Sequence, residues 1–164
     1  MVIFFLILVA LAAGACGDGD PAPPVALPLV AEIEPAITAV EAELGAPQQY
    51  FEINATPQLV NLIVATDGAA KATTYLYLDG ELQPPAPPQD AQGATFAAEA
   101  VDFDPDTVFA TLAAELDQPA VSSFVVVGGP GGAVQYSAFV ASEAGGVLHV
   151  ILGPDGAVLG VDPG

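Results

Sequence analysis

The residues that could do chemistry are few and far apart in this chain. It has one histidine, His149, and one cysteine, Cys16, among 164 residues. A transition-metal site needs several His or Cys ligands, so none is expected. Ser137, His149 and an aspartate are formally a catalytic triad, but no G-x-S-x-G elbow or other positioned nucleophile accompanies them. We therefore expect no enzymatic activity and no cofactor.

Two further motifs have simpler explanations than ligand binding. The segment 102–106, DFDPD, resembles the start of a calcium loop, but Thr107 stands at the glycine position and Ala113 at the position of the bidentate Glu. A linker that enters a capped helix explains it better. The glycine-rich segment 128–132 lacks the lysine of a phosphate-binding loop and is predicted to be a turn between strands.

Cys16 ends the apolar opening segment MVIFFLILVALAAGAC. The unbroken apolar run from Val2 to Ala13 is shorter than the roughly 20 residues of a spanning helix and has the length of a signal peptide core. The small residues directly before Cys16 resemble the bacterial lipobox, which implies cleavage before this cysteine and acylation of its sulfur. The alternative is that Cys16 is an incidental small residue of an ordinary signal or anchor helix.

This resemblance divides the chain into a signal peptide (1–15), a tether (16–28) and a single folded domain (29–164). The tether mixes flexible Gly and Asp with stiff Pro. The resemblance implies a lipid-anchored protein on the extracytoplasmic face of a cell membrane. With one cysteine, no intramolecular disulfide can form.

The charge excludes two classes of partner. Twenty acidic residues stand against one basic residue, Lys71, for a net charge of −19. Nucleic-acid binding depends on Lys and Arg that neutralise phosphates, and docking on anionic lipid headgroups needs a basic patch. We expect neither, so contact with the membrane is expected through the lipid anchor alone.

Two amphipathic stretches of similar pattern predict two helices. Glu34-Pro35 opens the first and Asp104-Pro105 opens the second, with Pro at the first helical position and Asp104 as a plausible N-cap. Both have apolar residues at i, i+3 and i+7, with the second set 72 positions after the first. The residues are Ile37, Val40 and Leu44, then Phe109, Leu112 and Leu116.

Three strand-like runs follow each predicted helix. Both third runs lead into an Asp-Gly turn, at Asp79-Gly80 and Asp155-Gly156, a strong hairpin signal that places Leu82 and Val158 on return strands. The runs are 50–53, 60–65 and 73–78, then 124–127, 134–140 and 147–152.

The predicted fold is α+β, with two helix-plus-antiparallel-strand repeats that form one continuous sheet and place two helices on one face. Repeat 1 spans about 29–83, a Pro-rich linker spans 84–93, and repeat 2 spans about 94–164. One helix on three strands buries too little surface alone, which favours the single sheet. The alternatives are two small layers hinged at 84–88, and a chance similarity between the halves.

The second half, with its pattern LHVILGPDGAVL at 148–159, resembles PepSY-type extracytoplasmic modules. The doubled arrangement is also similar to secreted inhibitors of the beta-lactamase-inhibitor kind. Both resemblances imply a non-enzymatic binding or modulating role and assign no site residue.

The period-2 alternation of strands suggests a candidate binding face. If Phe51, Leu62 and Leu76 point at the helices, their neighbours along each strand point away from them. The outward set mixes aromatic, amide and branched apolar side chains with few charges, which is typical of contact surfaces but also of ordinary half-exposed sheets. The candidate binding face is Asn61, Tyr75, Tyr77, Gln135 and His149.

Two functions fit these expectations. The first is a lipid-anchored, non-enzymatic module that binds an envelope protein or polymer through the outward face or an edge strand. The second is a carrier that holds a small apolar, lipid-type molecule between helices and sheet, which requires a cavity of about 300 to 1,000 Å³.

Overall fold

The computed structural model describes residues 26–116, 120–141 and 146–162. The signal peptide, Cys16 and most of the tether lie outside these residues. In the described ranges, neither helix combines the length and apolarity needed to cross a bilayer.

The first helix, α1, spans Ile33–Leu44 and follows a 3₁₀ turn at Val30–Glu32. Its buried residues recur at helical spacing, and Gly45, with a φ of 72°, ends it in the left-handed conformation that glycine adopts without cost. The predicted helix is confirmed, but Pro35 is not its first residue because the 3₁₀ turn and Ile33 precede it. The buried residues are Ile33, Ala36, Ile37 and Val40.

The second helix, α2, spans Pro105–Glu115, and its predicted N-terminus is confirmed. The Asp104 carboxylate caps it by accepting hydrogen bonds from the backbone N–H groups of Asp106 (2.9 Å) and Thr107 (3.3 Å). Val108 and Leu112 are its buried residues. Leu112 is buried as predicted, but Val108 takes the buried position predicted for Phe109. Phe109 is only partly buried and packs at the margin of the core.

All strands pair antiparallel in one ten-stranded sheet, so the alternative of two hinged layers is wrong. Its main path runs β10-β9-β8-β7-β1-β2-β3-β4, with β5 beside β3 and β6 beside β1. β1 and β7 form the central pair. From β1 the sheet continues outward through β2, β3 and β4, and from β7 it continues through β8, β9 and β10. The strands are β1 Gln49–Ala55, β2 Val60–Thr66, β3 Lys71–Leu78, β4 Glu81–Leu82, β5 Gln89–Asp90, β6 Phe96–Ala97, β7 Ala120–Gly128, β8 Val134–Ala141, β9 Val147–Leu152 and β10 Val158–Asp162.

The Pro-rich segment follows the outer edge of β3 instead of separating two units. Hydrogen bonds run from the N–H of Gln83 to the Leu76 carbonyl and from the N–H of Ala86 to the Thr74 carbonyl, and β5 then pairs with the start of β3. Prolines lack the N–H that a further strand would need, so this segment also closes the edge to additional pairing.

Both helices pack on the same face of the sheet, which we call the helix face. Leu112 of α2 belongs to one apolar cluster with residues of α1, and the cluster includes Leu62 of β2 and Phe124 of β7, all fully buried. The Phe124 ring lies 5.1 Å from that of Phe103 and 6.1 Å from that of Tyr136. The α+β class with two helices over an antiparallel sheet is thus observed.

A register shift in β1 changes the side on which its first residues lie. The ladder with β2 is irregular between Tyr50 and Glu52, which places Phe51 at a bulge. Tyr50 is fully buried on the helix face, and its hydroxyl donates to the Glu41 carboxylate of α1 at 3.4 Å. The sequence-based assignment of Tyr50 to the outward face is therefore wrong, because the bulge interrupts the period-2 alternation.

Candidate binding face

The face of the sheet that is turned away from both helices is called here the outer face. Residues directly opposite each other in an antiparallel ladder share a face, so the ladder defines its members. The central row runs across six strands, and a second row lies one pleat away. The central row is Leu76, Asn61, Asn54, Val125, Ser137 and Ile151, and the second is Thr74, Ile63, Glu52, Val127 and Gln135.

Three of the five predicted site residues lie on the outer face. Asn61 lies in the central row and Gln135 lies in the second row. His149 is on β9, opposite Phe139 of β8. The His149 and Phe139 rings stack with their centroids 4.9 Å apart and their planes 20° from parallel. Asn61 and His149 belong to different halves of the chain, so the continuous sheet brings both halves into one surface.

Tyr75 and Tyr77 lie on the helix face, so their assignment to the candidate binding face is wrong. Tyr75 is opposite Leu62 and Tyr77 is opposite Val60, and both partners are fully buried. Tyr75 is only 6% exposed, whereas the neighbouring Leu76 on the outer face is 37% exposed. The prediction took Leu76 to point at the helices, but Tyr75 and Tyr77 occupy that side of β3, where a tyrosine ring buries a large apolar surface.

The centre of the outer face holds two amide oxygens without partners. Asn54 and Asn61 are directly opposed on β1 and β2. Among the described residues, the Oδ1 atoms of both side chains are buried and accept no hydrogen bond. Leaving such an acceptor unsatisfied costs about 1 to 3 kcal/mol.

Glu52 lies on the same face, between Ile63 of β2 and Val127 of β7. Burial raises the pKa of its carboxyl above the ordinary value, and a hydrogen bond with the Asn54 side chain acts in the opposite direction. Burial is the larger effect. Ionised Glu52 is therefore poorly solvated in the folded protein.

Glu52→Gln is expected to stabilise the protein at pH 7 and to have no effect near pH 3. Because the pKa of Glu52 is higher in the folded than in the unfolded state, the folded state favours the protonated carboxyl. Its contribution is present below the unfolded pKa and is lost as the pH rises through the folded one. Thermal melts at both pH values test this, with Glu81→Gln on the exposed β4 hairpin as the control. A lower melting temperature for Glu52→Gln at pH 7 would contradict the assigned burial.

Two small side chains in the central row are buried although the helices lie on the other side. Val125 and Ser137 are each 5% exposed, and Val125 is directly opposite both Asn54 and Ser137. The surrounding larger side chains shield them. The outer face thus offers a mostly uncharged surface on a protein whose net charge is −19.

The outer face also holds Ser137 and His149, the two fixed members of the formal triad. Ser137 lies opposite Ile151, whereas His149 lies opposite Phe139 and stacks on its ring. Within the described ranges, no group of three or more His, Cys, Asp or Glu side chains is arranged to hold a metal ion.

Sequence reasoning placed Asn54 and Glu52 on this face but did not select them as site residues. Their distinguishing properties are an unsatisfied oxygen and a poorly solvated carboxyl, which depend on the neighbours across the ladder. Comparisons with protein-family models, with curated proteins and with solved structures find no match for this chain.

Proposed function

We propose that the protein is a non-enzymatic, lipid-anchored binding module of the cell envelope, and that the outer face contacts a protein or an envelope polymer. The observation that carries this proposal is the pair of buried, unpartnered amide oxygens of Asn54 and Asn61 on a face that neither described helix covers. Both oxygens are enclosed in the free domain although the residues keep partial exposure, so a partner would reach them after the two side chains turn outward, and its donors would then remove their desolvation cost. Photo-crosslinking from outer-face positions tests this contact directly.

Several features of the outer face support a macromolecular partner. Its central row crosses six strands and includes apolar side chains such as Leu76 and Ile151 beside the amides. Surfaces of this composition gain binding energy from apolar contact and orientation from hydrogen bonds. Glu52 is the single carboxylate in the central and second rows. It is poorly solvated, so a hydrogen bond donated by the partner would stabilise its charge.

The proposed anchor is Cys16, which lies outside the described residues. Its support is the apolar run followed by small residues in the sequence. The tether at 16–28 would hold the acidic domain away from anionic headgroups, whose repulsion decays over a Debye length of about 8 to 10 Å at physiological salt.

Cys16→Ser is expected to abolish acylation and processing at this position. The thiol is the only one in the chain, so no other cysteine can accept the lipid. Mass spectrometry of the N-terminal peptide from membranes checks this, with Ser137→Ala as a control that leaves the thiol in place. An unmodified Cys16 in the wild-type protein, or cleavage elsewhere, would contradict the anchor.

We also propose that the domain is a duplicated helix-plus-sheet unit. The two helices begin at residues 33 and 105, a spacing of 72, and each precedes strands that continue outward from the sheet centre. An Asp-Gly pair precedes the last strand in each half, β4 and β10. In this arrangement the outer face is a composite of both units.

A further inference from the structure

The two ends of the sheet differ in whether another strand can be added. Beside β3, the Pro-rich segment occupies the outer edge through the hydrogen bonds described above. At the other end, β10 pairs with β9 on one side, and no strand of the described residues pairs with its other side. Proline and lysine, which commonly block open edges, are absent from β10, and its one irregularity is the bulge at Leu159. The sheet can therefore be extended at β10.

Exposed apolar side chains are concentrated at this same end of the sheet. Of the six large apolar side chains that are exposed among the described residues, three belong to β9 and β10. Leu159 is the most exposed of all at 68%, and Val161 is 48% exposed. Val147, at the start of β9, is the third. The single copy thus leaves apolar surface in water beside an edge that can accept a strand.

The charge distribution indicates which partner can approach this edge. Between residues 120 and 161 the chain has only two of its twenty acidic residues, Glu143 and Asp155, and no basic residue. The segment 79–90 along the opposite edge has three acidic residues. Two copies that each carry a net charge of −19 repel one another, and this repulsion is weakest where the acidic residues are fewest. A second copy is therefore best accommodated at β10.

The strand β10 is also complementary to itself. In an antiparallel pair of two β10 strands centred on Gly160, Leu159 of each copy lies opposite Val161 of the other. Residues directly opposite each other share a face and have Cβ atoms about 4.5 to 5.5 Å apart, so the exposed apolar side chains cover one another. The two Asp162 residues are then about 14 Å apart, because they are offset by four residues along the strands.

We propose that the protein forms a homodimer in which β10 pairs antiparallel with β10 of a second copy, around a twofold axis perpendicular to the sheet. The two ten-stranded sheets become one, with both helix layers on one side and both outer faces on the other. The pairing does not depend on the function proposed for the outer face. If that function holds, the dimer presents two contact surfaces side by side and binds a repetitive partner with avidity.

Gly160→Cys tests the register of this pairing in the full-length protein in its membrane. A Cβ at this position meets only the Cδ1 atom of Ile151, at 3.9 Å, so the side chain fits. Mild oxidation with copper phenanthroline is expected to link position 160 of the two copies, because directly opposed residues lie within the Cα separation of a disulfide. Asp162→Cys is the control on the same strand, and its separation of about 14 Å is too long for a disulfide. The unsubstituted protein controls for links through Cys16.

A pair of lysine variants tests the association itself, by light scattering of the full chain in neutral detergent. Leu159→Lys with Val161→Lys places lysine opposite lysine in the dimer and is expected to raise the dissociation constant about tenfold or more. Leu27→Lys with Leu44→Lys adds the same charge at exposed positions away from β10 and should change it much less. All four side chains are exposed, so both double variants are expected to fold.

Three results would overturn the dimer. They are a monomeric mass for the unsubstituted protein at every concentration, crosslinking from position 160 no stronger than from position 162, and equal weakening by the two lysine pairs. None of them bears on the contact proposed for the outer face, which photo-crosslinking from that face tests separately.

Discussion

Replacing Gly156 by alanine is expected to destabilise the protein by about 3 kcal/mol or more, through strain and overlap together. Gly156 has a φ of 79°, which costs a residue with a Cβ about 1 to 2 kcal/mol. A Cβ here would also lie 2.5 Å from the Cα and 2.9 Å from the carbonyl oxygen of Val108. These are backbone atoms of α2, so the helix itself would have to move.

Gly80→Ala is the matched control for this effect. Gly80 follows Asp79 as Gly156 follows Asp155, and its φ of 82° imposes the same strain. No atom lies within 4 Å of the position of its Cβ. Denaturant melts should therefore show a loss of about 1 to 2 kcal/mol for Gly80→Ala, from strain alone. Equal losses for both variants would show that α2 does not pack on the β9–β10 turn as described.

The second large effect is expected at Phe124, whose removal should cost about 3 to 5 kcal/mol. Its ring is fully buried and packs against Phe103 and Tyr136 at the centre of the helix face. The cavity left by alanine would open where α2, the segment before it and the sheet meet. For a domain with a total stability of about 5 to 15 kcal/mol, this is a large fraction.

Phe139→Ala is the matched control, because it removes the same atoms as Phe124→Ala but from the outer face of the sheet. Phe139 lies on β8 in the outer face, partly exposed and stacked on His149. Its removal leaves no closed cavity, so the unfolding free energy should fall much less than in Phe124→Ala. A larger loss for Phe139→Ala in denaturant melts would indicate that the outer face, and not the helix face, carries the core.

Local signals predicted both helices and most strands. Asp104 and Pro105 mark the start of α2 because capping depends on the residues at the terminus itself. The Asp-Gly pairs marked the hairpins because the turn conformation likewise depends on the residues of the turn itself. The single continuous sheet was predicted because one helix on three strands would bury too little apolar surface to be stable alone.

The faces of individual strands could not be read from the sequence with the same success. Alternation divides β3 into two sets of side chains but does not say which set is inside, and the set with Tyr75 is buried because it is opposite Leu62. The bulge at Phe51 shifts the alternation by one residue, and no turn residue marks it.

The candidate site was predictable in part for related reasons. Asn61, Gln135 and His149 lie on the outer face as expected, since their strands alternate regularly. The unsatisfied oxygen of Asn54 depends on the packing across β1, β2 and β7, and β7 belongs to the other half of the chain. Such distant contacts leave no pattern in neighbouring residues.

In-cell photo-crosslinking from the two sides of the domain tests the central claim most directly. A benzophenone amino acid would replace Leu76 or Gln135 on the outer face, and Ala113 on the exposed side of α2 would serve as the control. The account predicts the same crosslinked partner from both outer-face positions and none from Ala113. Crosslinks from Ala113 alone, or no crosslinked species from Leu76 and Gln135, would contradict the assignment of the outer face as the contact surface.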